Sequence, residues 1–318
     1  MKLKRTLVCL APIFLLWGCA TVLDEDGALA IVPYSIQENG RIVVNARVNG
    51  YGPFVFALDT GATISVIFDK LRGELALEPL PGSELRIHGM VGSGVFPLLD
   101  VSNLAVGREV WPRPRIASLP GDTVAGATID GILGVDFLRR YAVGFSAQDR
   151  VIRLYPPELV AGRAYQGWTS ISLQPERLGD SSAALYLFAI EIGSHRIPAI
   201  FDLGAGVNLL NHAAVESMDL KAAYSRDKQV LSGAIESAQI AARFRIKEVK
   251  SGRARWRNEA FEIIEEDIFD SLMEVEVPYA ILGAGLFTQR DFIIDFNRNR
   301  LLVKFAMDEL DPLVSDDG

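Results

Sequence analysis

Cysteine and histidine are scarce in this chain, and their scarcity closes off several kinds of chemistry. Of 318 residues only two are Cys (Cys9 and Cys19) and three are His. His88, His195 and His212 stand far apart, with no metal-ligand spacing among them, so no metal site is expected. No Gly-x-Ser-x-Gly elbow is present to expose a serine nucleophile. No large basic region exists either, and at a formal net charge of -8 nucleic acid is not an expected partner. The best basic cluster, Arg253, Arg255 and Arg257, alternates with period two and reads as the solvated face of a strand, Ala254 and Trp256 pointing inward. Long helical periodicity is absent, and nothing implies a cofactor.

What is present suits a packed globular protein. Hydrophobic residues make up 49% and charged residues 23%, and the length allows two domains of ordinary size. The N-terminus reads as a targeting segment, to be set apart from the fold. Lys2, Lys4 and Arg5 precede an apolar stretch, Leu7 to Trp17, that is short for a membrane-spanning helix. It ends in Leu16-Trp17-Gly18-Cys19, which resembles the lipobox of bacterial lipoproteins. That resemblance implies a signal peptide over residues 1–18, lipidation of Cys19 and a membrane anchor; an ordinary secretory signal cut nearby is the alternative. Ala20 is not Asp, so the resemblance further implies an outer-membrane, periplasm-facing location. Cys9 would leave with the signal, so no disulfide can form in the mature chain and stability must come from core burial.

After a tether (residues 19–30) the chain turns into short apolar runs broken by Gly, Pro, Asn and Asp, as in an all-β protein. Short helices are expected near Val135–Tyr141, Asn211–Met218 and Glu265–Leu272. The chain is also built twice. Phe56-Ala57-Leu58-Asp59-Thr60-Gly61-Ala62 returns as Ala199-Ile200-Phe201-Asp202-Leu203-Gly204-Ala205. Further matches follow in the same order: Ile87-His88-Gly89 with Leu231-Ser232-Gly233, Trp111 with Trp256, Ile132-Leu133-Gly134 with Ile281-Leu282-Gly283, and Val151–Tyr155 with Leu301–Phe305. Each half closes on a hairpin, Tyr141–Phe145 to Val151–Tyr155 and Phe292–Phe296 to Leu301–Phe305. The halves are placed at residues 31–157 and 165–307, joined through a Pro- and Gly-containing stretch, with an acidic tail at 308–318.

A carboxylate on a tight turn accepts hydrogen bonds from nearby backbone N–H groups, and a Gly two residues on lets another chain approach closely. Two such turns face to face would let Asp59 and Asp202 share one proton and hold a water, one acting as general base and the other as donor to a substrate carbonyl. Phe56–Val66, Asp130 to Leu138 and the Gly-rich stretch His88–Val95 together resemble retropepsin-like and pepsin-like aspartic proteases, in particular the bacterial group with a D-T-G-A motif. The resemblance spans both halves. It implies two tandem acid-protease-like β-barrel lobes packed as a pseudo-dimer, with few short helices. It assigns catalysis to Asp59 and Asp202, support of the turns to Thr60, Gly61, Ala62 and Gly204, and a flap to His88, Gly89, Met90, Gly92 and Gly94. Thr60 matches the Thr of the inter-lobe hydrogen-bond grip. Leu203 departs from the pattern, since it has no hydroxyl. The second hairpin has fewer glycines, and a single flap is the simpler expectation.

Three readings stay open on the sequence. The pseudo-dimer would be a monomeric, envelope-anchored endopeptidase with an acidic pH optimum, acting on peptides or unfolded protein. A homodimer would instead pair Asp59 with its copy. A non-catalytic descendant would keep the cleft to bind a peptide or an envelope partner, and Leu203 favours that reading; both Asp residues as simple turn formers are its bland form.

Overall fold

The computed structural model describes residues 27–88, 93–121, 123–124, 127–158, 165, 167–177, 184–220, 223–232, 237–264, 277–306 and 310. The expected signal, Cys19, the helix near Glu265–Leu272 and most of the acidic tail lie outside the described residues, as do Gly89, Met90 and Gly92. The protein is all-β, as the short alternating runs predict. Ile42–Val48 shows why: its last five residues alternate strictly between buried and exposed, and Ile42, Val44, Ala46 and Val48 join the main core.

The two lobes repeat one plan. In the first, Ile42–Val48 pairs antiparallel with Tyr51–Leu58, which carries Asp59 at its end. Gly131–Leu133 slots between Tyr51–Leu58, to which it is parallel, and Val66–Phe68, to which it is antiparallel. In the second, Ala184–Ile192 pairs with His195–Asp202, and Ala280–Gly283 slots between His195–Asp202 and Asn208–Leu210 in the same two senses. The repeat extends to register. Leu58 pairs with Leu133, and Phe201 pairs with Leu282. Val66 pairs with Ala117, and Leu209 pairs with Glu262. Residues that match in sequence therefore occupy the same ladder rung. Trp111 and Trp256 also correspond: the first lies against Phe137 at 5.9 Å and the second against Phe287 at 6.0 Å.

The lobes are joined by a six-stranded stretch of the larger sheet, to which each contributes three strands; Ala30–Ile36 continues it onto Ile42–Val48. Its order is Ala30–Ile36, Val151–Tyr155, Ala142–Ser146, then Phe292–Asp295, Arg300–Val303 and Thr169–Ser172. The central pairing is antiparallel, Val143 against Ile294 and Phe145 against Phe292. The Phe145 and Phe292 rings stack at 4.2 Å across that seam. Phe292–Asp295 is buried along its whole length. One face of the sheet adds to the main core, and the other is covered by Ala28, Tyr155, Tyr165 and Trp168. A strand buried on both faces reads as a continuous apolar run, which is how Phe292-Ile293-Ile294 reads.

Two local features differ from the sequence reading. A helix at Asp69–Glu74 was not expected; at six residues it is too short to show a helical period. The expected helices near 135 and 211 are shorter, Val135–Leu138 and His212–Ser217, the latter N-capped by the Asn211 side chain. The two hairpins of the repeat both form: Ala223–Ser232 pairs with Ser237–Ser251 as Pro79–His88 pairs with Ser93–Leu99. Ser232 opposite Ser237 matches His88 opposite Ser93. The alternation at Arg253, Arg255 and Arg257 folds as expected, with Ala254 and Trp256 fully buried.

Candidate active site

Each Asp sits on a turn whose own backbone N–H groups converge on it. Gly61 and Ala62 donate to Asp59 Oδ1 at 2.8 and 2.9 Å. Gly204 and Ala205 donate to Asp202 Oδ1 at 2.7 and 3.2 Å. Each turn is held from below by the apolar-apolar-Gly strand. The Val135 N–H donates to the Ala62 carbonyl at 2.8 Å, and its counterpart Ala284 donates to Ala205 at 2.9 Å. Ser65 Oγ accepts from the Gly134 N–H at 3.0 Å, and Asn208 Oδ1 accepts from Gly283 at the same distance. Ser65 is fixed in turn by Asp136, which accepts from its N–H at 3.0 Å and its hydroxyl at 2.7 Å.

The two turns cross, and each carboxyl lies on the other turn's glycine. A Cβ built on Gly61 would fall 2.6 Å from Asp202 Oδ2, and one built on Gly204 would fall 2.3 Å from Asp59 Oδ2. No side chain larger than hydrogen fits at either place. Each carboxyl lies close enough to the other to act on its proton affinity. Burial is the largest influence on both and raises both above the ordinary carboxylate range. The charge of Asp59 pushes Asp202 further up, and the N–H of Gly204 pulls it back. Asp202 is 5% exposed, whereas Asp59 keeps more of its surface open.

Thr60 ties the turns together. Its hydroxyl donates to the Phe201 carbonyl at 2.7 Å and accepts from the Leu203 N–H at 2.9 Å. Leu203, the residue matching Thr60, is fully buried in the main core and offers no hydroxyl. The grip is therefore one-sided: a single hydroxyl makes both bonds from one lobe.

A family model for aspartyl proteases matches residues 44–137 and 188–284, one stretch in each lobe. The chain belongs to the aspartyl protease family. A search of curated proteins finds none that matches. In this member of the family the structure brings together Asp59, Thr60, Gly61, Ala62, Asp202 and Gly204, the residues that the sequence points to. Gly94 lies in the first hairpin, and His88 ends its first strand.

One neighbour of the pair was not foreseen. Arg41 follows the turn between Ala30–Ile36 and Ile42–Val48, and its Nε donates to the Gly204 carbonyl at 2.6 Å. It is 8% exposed. Burial pulls its proton affinity down, and the charges of Asp59 and Asp202 pull it back up. The preceding residues lean on the second turn too: a Cβ on Gly206 would fall 1.7 Å from the Asn39 carbonyl oxygen. The repeat carries a signal for this contact. Where the first lobe has Thr63 the second has Gly206, and only glycine leaves room for Asn39. Among the described residues no group of His, Cys, Asp and Glu is placed to hold a metal.

Proposed function

We propose that the protein is an aspartic endopeptidase in which Asp59 and Asp202 of a single chain form the catalytic pair. The observation that carries this reading is the crossing of the two turns, each carboxyl seated on the other turn's glycine. A water bound between the carboxyls would lose its proton to the ionised member as it attacks the peptide carbon. The protonated member would donate to the carbonyl oxygen as charge develops there. Asp202, the more buried, is assigned the proton, and Asp59 the role of base. An extended peptide or an unfolded protein segment would enter beneath the hairpins and add its backbone to the strands beside the turns. With Asp202 supplying the second carboxyl, a homodimer through Asp59 is not needed.

A second reading rests on Leu203 and Arg41. A grip made by one hydroxyl and a catalytic turn covered by a neighbouring loop are what a peptide-binding descendant without catalysis could carry. The test is cleavage of a denatured protein mixture by the purified protein. Hydrolysis at acid pH that disappears in both Asp59→Asn and Asp202→Asn supports the proposal; loss in Asp59→Asn alone favours the homodimer. No cleavage from about pH 3 to about pH 8, with peptide capture retained, selects the binding role instead.

We also place the protein at the bacterial cell envelope, lipidated on Cys19 and anchored in the outer membrane facing the periplasm. Lys2, Lys4 and Arg5, the apolar stretch and Cys19 support this. Cys19→Ala should leave the protein unprocessed and without acyl chains by mass spectrometry; a mature, unacylated wild-type chain would refute the anchor.

A further inference from the structure

We infer that Arg41 is a positioning residue of the Asp59–Asp202 pair: its buried guanidinium, pinned on the Gly204 carbonyl, holds the pair ionised to a lower pH than two facing carboxyls would reach alone. The inference rests on reading the pair as the active site, and it adds the group that sets the pH at which the site carries one proton.

The geometry leaves Arg41 little choice of place. Its turn is closed by the Gly40 N–H on the Gln37 carbonyl and the Gln37 N–H on the Arg41 carbonyl, both at 2.9 Å. The Asn39 side chain also accepts from the Arg41 N–H at 3.1 Å. The turn is wedged against Gly206, so the backbone under Arg41 cannot retreat without unseating an inter-lobe contact. Nε is committed to the Gly204 carbonyl. Gly204 is the residue on whose Cα the Asp59 carboxyl rests, and its own N–H holds Asp202. The guanidinium is thus fixed to the residue that touches both acids, and the same hydrogen bond orients the second catalytic turn.

The charge balance follows. Among the described residues, the charged groups that act on the pair are Arg41 and the two acids themselves; the other partners are the N–H dipoles of Gly61, Ala62, Gly204 and Ala205. Burial and mutual repulsion both oppose ionisation. Arg41 is the one full positive charge against them, and an arginine keeps its proton at any pH of interest. A nearby opposite charge favours the ionised carboxyl and shifts it by about 1–3 pH units. Because Arg41 acts on both acids, both macroscopic steps of the pair fall together, and the singly protonated window moves as a whole toward acid.

The test is the titration of the pair in the full-length protein, followed by carboxyl-carbon NMR of Asp59 and Asp202 and by the pH profile of kcat/KM. In Arg41→Met and Arg41→Gln both midpoints should rise by about 1–2 pH units, and the acid limb of any activity should rise with them. Arg41→Lys should restore at least half of the shift. Arg41→Gln keeps an N–H donor for Gly204, so it tests the charge even if Arg41→Met fails to fold. Unmoved midpoints in the neutral variants would overturn the inference, as would a Lys variant that shifts as far as they do. The NMR arm needs no catalysis. A protein that cleaves nothing but shows the shift would refute the endopeptidase and keep Arg41's role. Two independent, ordinary titrations in the wild type would refute the pair and the inference together.

Discussion

Replacing Thr60 by Val tests whether one hydroxyl holds the two lobes in register. Val has nearly the shape of Thr, so packing is preserved and only the hydroxyl is lost. Thr60 is fully buried, and so are its partner residues Phe201 and Leu203. The substitution removes the bonds at 2.7 and 2.9 Å and leaves a carbonyl and an N–H at the lobe junction without the group they face. A buried polar group deprived of its partner costs about 1–3 kcal/mol, and the two sit close enough to relax together, so about 3 kcal/mol is expected. In a chain of this size that lowers the thermal midpoint by roughly 4–5 °C. Thr60→Ser is the control: it keeps the hydroxyl and gives up one methyl, at about 1 kcal/mol. Urea unfolding of wild type and both variants reads the difference. A Val variant no less stable than the Ser variant would refute the account of the grip. The reverse substitution, Leu203→Thr, should not gain stability in a wild-type background. It gives up apolar burial worth about 1–2 kcal/mol to place a hydroxyl in a core, against about 1 kcal/mol for a new bond.

Other expectations concern single residues. Gly206→Ala sets a methyl against the Asn39 carbonyl and should cost about 2–4 kcal/mol, whereas Gly285→Ala, where a Cβ meets nothing within 4 Å, should be near neutral; equal melting temperatures would refute the wedge. Asp136 is pushed up to about 6 by burial, against the pull of its hydrogen bonds from Ser65 and Phe137. For an acid with a raised folded pKa, the stabilising contribution is complete below the unfolded value near 3.8 and is lost as pH rises through about 6. Wild type should therefore lose about 1–3 kcal/mol relative to Asp136→Asn between about pH 4 and about pH 7 in urea titrations. A pH-independent gap between the two would show that the carboxyl is not strained by its burial.

Much of this architecture can be read in the sequence because the chain states it twice. The match of Leu58 with Phe201 and of Leu133 with Leu282 already implies equal strand registers, since equal spacing around an Asp turn leaves one way to pair the flanking strands. The two hairpins that feed the six-stranded sheet were likewise legible from apolar runs around polar turns. Arg41 was not. It meets Gly204 from 163 positions away, across the lobes, and nothing local distinguishes it from an exposed arginine after an Asn-Gly turn. Its trace lies in the second copy, in the loss of Thr at position 206, and it becomes readable only once one asks what takes up the vacated space. The helix at Asp69–Glu74 was illegible for another reason, being shorter than two turns. Ser65 and Asn208 serve the same N–H with different chemistry, so a search for identical residues passes over them.

The seam between Ala142–Ser146 and Phe292–Asp295 has a consequence for how such a molecule can change. In a symmetric pair of identical chains, this contact would form only as fast as two molecules meet, and every substitution would appear on both sides of it. With both strands on one chain, assembly no longer depends on protein concentration, and each half can be altered alone. Leu203 and Gly206 are departures that one half carries alone. A residue without a hydroxyl on both sides would strip the junction of its last grip. The second half could give up its share of the grip because the first half, permanently tethered, kept its own.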